Sequence, residues 1–212
     1  GINLKFGVIF RATDWLRLGA AVHTPTWFTK MEDTWWTSMQ SSFDNGDDYY
    51  EVSPEGVYEY SINTPFRAIG SMAFLFGKQG LLSIDYEYAD YSTGKLKGTL
   101  VNHDDANAAI KSSYGMVHQI RAGTEWRHQN FSFRAGYRFA GSPYQSDIND
   151  GSSNTYSVGI GYRNLPVYFD LAYVHQRKNL DYYLYLEPTV QANATENLHL
   201  RNHFILSVGY RF

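Results

Sequence analysis

The residues best equipped for chemistry are charged and evenly spaced. Arg11, Arg17, Arg67, Arg121, Arg127, Arg134, Arg138 and Arg163 stand with Asp85, Glu87, Glu125 and Asp170 at alternate positions of otherwise apolar runs. In an extended chain alternate positions share a face. Arginines and carboxylates on one face of adjoining strands come within reach of each other, and where water is scarce such charges must pair. A charge network of Arg17, Arg67, Asp85, Glu87, Arg121, Glu125, Arg134 and Arg138 is therefore expected, structural for the most part. Arg67 is the arginine placed to guide a ligand carboxylate instead, because Thr64-Pro65 just before it interrupts a backbone ladder.

A second set is aromatic. Trp27, Phe28, Met31, Trp35, Met39 and Phe43 recur near helical spacing, with Trp36 adjacent. Taken as an amphipathic helix, this stretch between Pro25 and Pro54 shows a wide apolar stripe that must be buried against something, either neighbouring loops or a ligand. Flexible Met beside flat aromatics suits varied hydrophobic ligands. Another helix is expected at Asp104 to Ser113, with an acidic start and little apolar surface, in a structural role.

Catalytic signatures do not occur. There is no Gly-x-Ser-x-Gly, His-Glu-x-x-His or Walker sequence. With no Cys there is neither a thiolate metal site nor a cysteine nucleophile, and the seven His are scattered. A hydrolase would have to assemble a triad from distant strands. Asp44-Asn45-Gly46-Asp47-Asp48 and Asp147-Ile148-Asn149-Asp150-Gly151 resemble calcium loops in composition, but their spacing departs from the EF-hand and they read as solvated turns. No enzyme activity, metal or cofactor is expected.

The elements that position these residues are strands. Alternation is clear at Asn3 to Arg11, Leu16 to His23, Phe66 to Phe76, Leu82 to Ala89, Gln119 to Arg127, Phe131 to Phe139, Tyr156 to Arg163, Val167 to Gln176 and His203 to Phe212. These runs exceed the five or six residues usual in soluble sheets and match a tilted membrane strand. Leu18, Phe74, Ile84, Phe133, Ile160, Leu171 and Leu206 belong to the apolar face, and Arg17, Arg67, Glu87, Arg134 and Arg163 to the other. A polar face rich in Arg and Gly does not supply the second apolar layer of a sandwich. A soluble lipocalin-like barrel would invert the pattern, and alternation alone does not say which face is inside. Aromatics break the tie, because Phe10, Phe66, Phe76, Tyr88, Trp126, Phe131, Phe139, Tyr162, Tyr173 and Phe212 sit at the ends of the apolar stripes, as interfacial girdles do.

Composition agrees. A net charge of −3 provides no broad basic face for nucleic acid. The apolar fraction of 43% against 18% charged residues excludes disorder. The longest nearly apolar run, Ala68 to Phe76, is far too short for a spanning helix. A membrane barrel survives this test because its alternation averages out.

Connections alternate too, short at 12–14, 77–80, 128–130 and 164–166 and long at 25–61, 92–115, 140–154 and 178–198. Bacterial outer-membrane barrels show this asymmetry, with short periplasmic turns and long outer loops. A first strand that descends and a last strand that also descends give an odd count, whereas such barrels have an even one. The 212 residues are thus expected to be the C-terminal part of one larger barrel domain, in keeping with a start at Gly1 without Met or signal peptide.

Leu4-Lys5-Phe6-Gly7-Val8-Ile9-Phe10-Arg11-Ala12-Thr13-Asp14-Trp15-Leu16-Arg17-Leu18-Gly19 through Thr26 resembles a stretch of FadL-type outer-membrane transport proteins in their Bacteroidetes-like form. Asn63-Thr64-Pro65-Phe66-Arg67-Ala68, Phe74-Leu75-Phe76-Gly77-Lys78, Asp85-Tyr86-Glu87-Tyr88, Arg134-Ala135-Gly136-Tyr137 and Gly141-Ser142-Pro143-Tyr144 extend the likeness over nearly the whole chain. The resemblance implies an all-β, transmembrane antiparallel β-barrel of 14 strands, of which these are the last nine. It further implies an N-terminal hatch and passive import of long-chain fatty acids or other hydrophobic molecules, with a capture groove in long outer loops to which Trp27 through Phe43 would contribute. Phe212, preceded by apolar residues at every second position back to Phe204, resembles the signal read by the barrel assembly machinery. The expected partners are membrane lipid, a hydrophobic ligand and the N-terminal part of the same barrel, in the bacterial outer membrane. A second reading comes from relatives of this fold that act as docking modules of secretion machinery, for which the aromatic loop would be a protein contact.

Overall fold

The computed structural model describes residues 1–212 apart from 45, 47, 99–101, 146–148, 165, 183–194 and 211–212. Among the described residues fourteen strands form, in chain order. The first two are β1 (Lys5–Arg11) and β2 (Leu16–His23), followed by β3 (Trp27–Trp35), β4 (Ser38–Ser42), β5 (Asp48–Val52) and β6 (Gly56–Asn63). Then come β7 (Arg67–Phe76), β8 (Gly80–Asp90), β9 (Lys95–Gly98), β10 (Met116–His128), β11 (Phe131–Ala140), β12 (Ser153–Asn164), β13 (Val167–Tyr182) and β14 (Thr195–Tyr210). One helix, α1 (Asp104–Ser113), lies between β9 and β10, where the sequence predicts it.

Nine strands make one antiparallel sheet in the order β1-β2-β7-β8-β10-β11-β12-β13-β14, and they are the nine runs read from alternation. The long connections fall at one end of the sheet and the short turns at the other. Gln129 (φ 50°) and Gly77 (φ 59°) take the left-handed backbone that two of the tight turns require. The last two strands are the longest. β13 and β14 have 16 residues each and stay paired from Val167↔Tyr210 to Tyr182↔Thr195, beyond the 9 to 11 residues or so that a bilayer needs.

Among the described residues the sheet has no second layer over it. Ala89, 4% exposed, is the one buried apolar side chain among the described residues. The register Phe133↔Ile160↔Leu171↔Leu206 runs along one face, and Leu18↔Met72↔Ile84 continues the same apolar face on the earlier strands. Leu206 is 71% exposed and Phe204 77%. An apolar face this wide, bare to its surroundings across nine strands, far exceeds the patches that water-soluble monomers carry. Phe76 packs on Trp126 (5.3 Å) and Phe131 on Tyr162 (5.0 Å) toward the short turns, and Tyr137 on Tyr156 (5.2 Å) toward the long loops. The opposite face is polar and lined with small residues, Ser83↔Gly123↔Gly136↔Ser157 being one row.

One expected element is absent. Residues 27–43 are not helical: β3 pairs with β6, and β6 with β9, in a three-stranded sheet, while β4 and β5 form a separate hairpin. Positions 27, 31, 35, 39 and 43 differ by four, which is near one helical turn and also a multiple of two, so the spacing fits a strand face equally well. Pairing from Val57-Tyr58-Glu59-Tyr60, an alternating run, decides for strand.

Candidate functional site

The predicted aromatic stripe is divided by a bulge. Phe28 pairs with Ile62 and Met31 with Tyr60, so Thr29 and Lys30 together oppose Ser61, and Lys30 takes φ 54°. One extra residue exchanges the faces. Phe28, Met31 and Trp35 now share a face with Tyr58, Tyr60, Ile62 and Leu96, and Trp27 lies on the other with Glu59 and Lys97. Trp35 covers Gly56 so closely that a Cβ there would meet its indole at 2.5 Å. Tyr58 stacks on Tyr60 (5.3 Å), and its hydroxyl lies 3.0 Å from His103 Nε2 at the start of α1. The Asp33 carboxylate accepts from the Tyr60 hydroxyl and holds that phenol above its ordinary pKa. Asn107 of α1 donates to the Leu96 carbonyl and accepts from the Leu96 N–H, each at 2.9 Å, so the helix satisfies the edge of β9.

Trp36, Met39 and Phe43 belong elsewhere. Trp36 sits between β3 and β4, and Met39, on β4, is 77% exposed. Phe43 meets Tyr49 edge-on at 5.9 Å. The seven predicted residues therefore form a half-covered aromatic face, an exposed hairpin and one residue, Trp27, on the reverse side. Tyr58, Tyr60 and His103, which complete the aromatic face, are not among the seven residues to which the sequence points. The alternation of Val57 to Asn63 is the signal that finds the two tyrosines.

The charge network forms on the polar face of the large sheet, in two clusters. Toward the long loops, Glu87 accepts from Arg121 Nη2 at 2.6 Å and lies 3.6 Å from Arg67 Nη1. Arg67 thus has a carboxylate beside it, as the expected charge network requires. Gln119, buried at 8% exposure, donates to Glu87 (3.3 Å) and accepts two bonds from Arg138 (2.6 and 3.0 Å). Toward the short turns, Glu125 accepts from Arg127 Nε (2.6 Å) and Arg134 Nε (2.7 Å), and Arg134 Nη1 reaches Asp170 at 2.6 Å. Arg17 and Asp85 share this face but enter no ion pair among the described residues, although Asp85 stands directly opposite Arg121. Arg138 answers to an amide rather than to a carboxylate.

The sequence matches no protein-family model and no curated protein. Solved structures do match. One is a Pseudomonas aeruginosa FadL homologue, at 17% identity and TM-score 0.58, covering 98% of this chain and 52% of that one. Another is the P. putida toluene transporter TodX, at 15% identity and TM-score 0.57, covering 98% and 48%. This chain spans about half the length of each. At such identities the likeness is one of fold, and the fold is of the FadL type.

Proposed function

We propose that this chain is the C-terminal part of one bacterial outer-membrane barrel domain through which hydrophobic small molecules, long-chain fatty acids among them, enter passively. The observation that carries this reading is the single-layer sheet itself, apolar on one face across nine strands and charged on the other, in a fold shared with two barrels of which one is a toluene transporter. Apolar rows such as Phe133↔Ile160↔Leu171↔Leu206 would face lipid, and the ion-paired face would line the lumen.

Closure requires more chain. β1 and β14 are the two edges of the sheet and do not pair with each other, and unpaired backbone cannot be left in lipid. Five further strands, the N-terminal part of the barrel, would join them. Phe212, proposed as the mark for the assembly machinery, lies outside the described residues. At the long-loop end, Phe28, Met31, Trp35, Tyr58 and Tyr60 would receive ligand first.

Trp35→Ser in the full-length barrel is expected to lower uptake of a long-chain fatty acid into vesicles a few-fold at low concentration, by loss of apolar contact worth about 25 cal/mol per Å². Normal heat-modifiable mobility with unchanged uptake would remove the capture role. The hairpin β4–β5 favours a second reading for that element alone. Met39 at 77% exposure, with Trp36 and Tyr50 also bare, is how a protein-docking ridge presents itself. Met39→Ser that leaves uptake unchanged would fit docking.

A further inference from the structure

The small sheet has two edges, β3 and β9. Asn107 of α1 closes the β9 edge, its side-chain amide donating to the Leu96 carbonyl and accepting from the Leu96 N–H. The β3 edge has no such closure. Among the described residues its one main-chain partner on that side is Ile2, whose N–H donates to the Trp27 carbonyl at 3.0 Å and whose carbonyl accepts from the Trp27 N–H at 2.9 Å. An unpaired strand edge is a template for another extended segment, and proteins seldom leave one bare.

The chain leading into β1 already follows that edge. β1 pairs with β2 up to Lys5↔His23, and β3 carries on from β2 beyond Pro25, which has no N–H to give. Threonine hydroxyls bridge the gap. Leu4 donates its N–H to Thr24 Oγ1 and accepts from the Thr24 N–H, each at 2.9 Å, and Asn3 Nδ2 donates to Thr26 Oγ1 at 2.9 Å. Antiparallel pairing resumes at Ile2↔Trp27, which sets Gly1 opposite Phe28. A Cβ on Gly1 would stand 2.7 Å from the Phe28 ring, so the ring lies directly over that residue. The same contact marks two ladder pairs of this molecule, Trp35↔Gly56 and Trp126↔Gly80, where the indole would meet a Cβ on the facing glycine at 2.5 Å. Gly1 and Phe28 thus behave as one more cross-strand pair, and the direction of the strand leads from there toward Thr29 and Trp35.

We propose that the residues preceding Gly1 in the full-length chain form a fourth strand of the small sheet, antiparallel to β3, with the residue immediately before Gly1 opposite Thr29. The proposal rests on the reading of residues 1–212 as the C-terminal part of a larger barrel, and it specifies one junction between that part and the rest. A segment tethered at Ile2 meets the edge at an effective concentration of about a millimolar or more, which a second copy or a foreign peptide cannot match. The β3 edge is then closed from within the same chain, and strand addition by a partner protein has no place there. The exposed β4–β5 hairpin is left as the surface for docking.

Residues 1–212 contain no Cys, which suits disulfide mapping. In the full-length detergent-solubilised protein, Thr29→Cys combined with a cysteine in place of the residue immediately before Gly1 is expected to cross-link within one chain in most molecules, because directly opposed residues have Cα atoms about 5 Å apart. Thr34→Cys with the same partner is expected not to cross-link, since it lies about 16 Å further along β3. In the unsubstituted protein, the amides of 29–34 that point at this edge are expected to exchange about a hundredfold more slowly than unpaired ones. Exchange at the unpaired rate overturns the strand whatever the cross-link shows. Slow exchange with a cross-link only between two chains, or with none, also overturns it, because another occupant then holds the edge. If the double variant does not assemble, exchange alone decides, and slow exchange that is independent of protein concentration supports the strand. Heat-modifiable mobility and vesicle uptake on the same preparations judge the barrel reading separately. Normal values without the cross-link defeat the strand alone, and a within-chain cross-link in a protein that takes up nothing keeps the strand and defeats transport.

Discussion

The large sheet and the small β3–β6–β9 sheet are built from the same residue types, yet they differ in what enforces their register. In the large sheet the pairing runs from Lys5↔His23 to Val167↔Tyr210 without a shift. A one-residue slip in any of these strands would turn its polar set onto the apolar face and its apolar set onto the charged one. Both errors are costly in lipid. The small sheet stands outside that constraint and carries a bulge at Thr29-Lys30 within nine residues of strand. Strict alternation therefore marks the part of the chain whose two faces meet two different media, and its loss marks the part that meets only one.

The sharpest test of this contrast is all-or-none. Residues 1–212 refolded alone in lipid are expected to show no heat-modifiable barrel, because the edges β1 and β14 stay open. The full-length protein with 27–62 replaced by a short turn is expected to assemble, because His23 already pairs with Arg67. Failure of the second or success of the first would break the comparison. Next in size is a matched pair of lysines. Leu206→Lys is expected to cost about 2 to 4 kcal/mol in urea titrations in bilayers, and Met39→Lys, equally bare but outside the sheet, about 0.5 kcal/mol or less. Equal losses would mean that the apolar face of β14 does not meet lipid.

Smaller still is Glu125→Gln, which leaves Arg127 and Arg134 without their shared carboxylate. Their partial exposure limits the expected loss to about 1 to 2 kcal/mol, measured by the same titration. Asp14→Asn, at a fully exposed pair, is expected to change nothing measurable. The smallest effect is one of pH in the 141–152 loop. Burial pushes the Asp150 carboxyl up, and bonds from the Ser152 N–H (2.8 Å), its hydroxyl and Asn179 (3.2 Å) outweigh it and leave the pKa below the ordinary value. A depressed acid lends stability that is present above its unfolded value of 3.8 and lost as pH falls through the lower folded one. Amide exchange in this loop is expected to quicken below pH 4 or so in wild type, and already at neutral pH in Asp150→Asn.

Particular residues show where sequence reading stops. Leu206, Arg134 and Glu125 could be assigned to faces because an extended chain repeats every two residues and lipid tolerates only one kind of side chain. Residues 27–43 read as a helix because a spacing of four satisfies two periods, and the deciding fact lies in a different segment, Val57 to Asn63, that pairs with them. Partners were also hidden. Arg121 passes over Asp85, directly opposite, to reach Glu87 two residues along, since a long flexible arm on a twisted sheet selects its acid by diagonal distance rather than by register.

Alternation and loop length alone were thus enough for the nine strands, their faces and the end that carries the long loops, because each is a local property that repeats along the chain. The bulge that parts Trp27 from Met31 and Trp35, the pairing of Arg67 and the amide partner of Arg138 were decided only when separate strands came together. Each depends on the distance between atoms far apart in sequence, and no period in the chain encodes it.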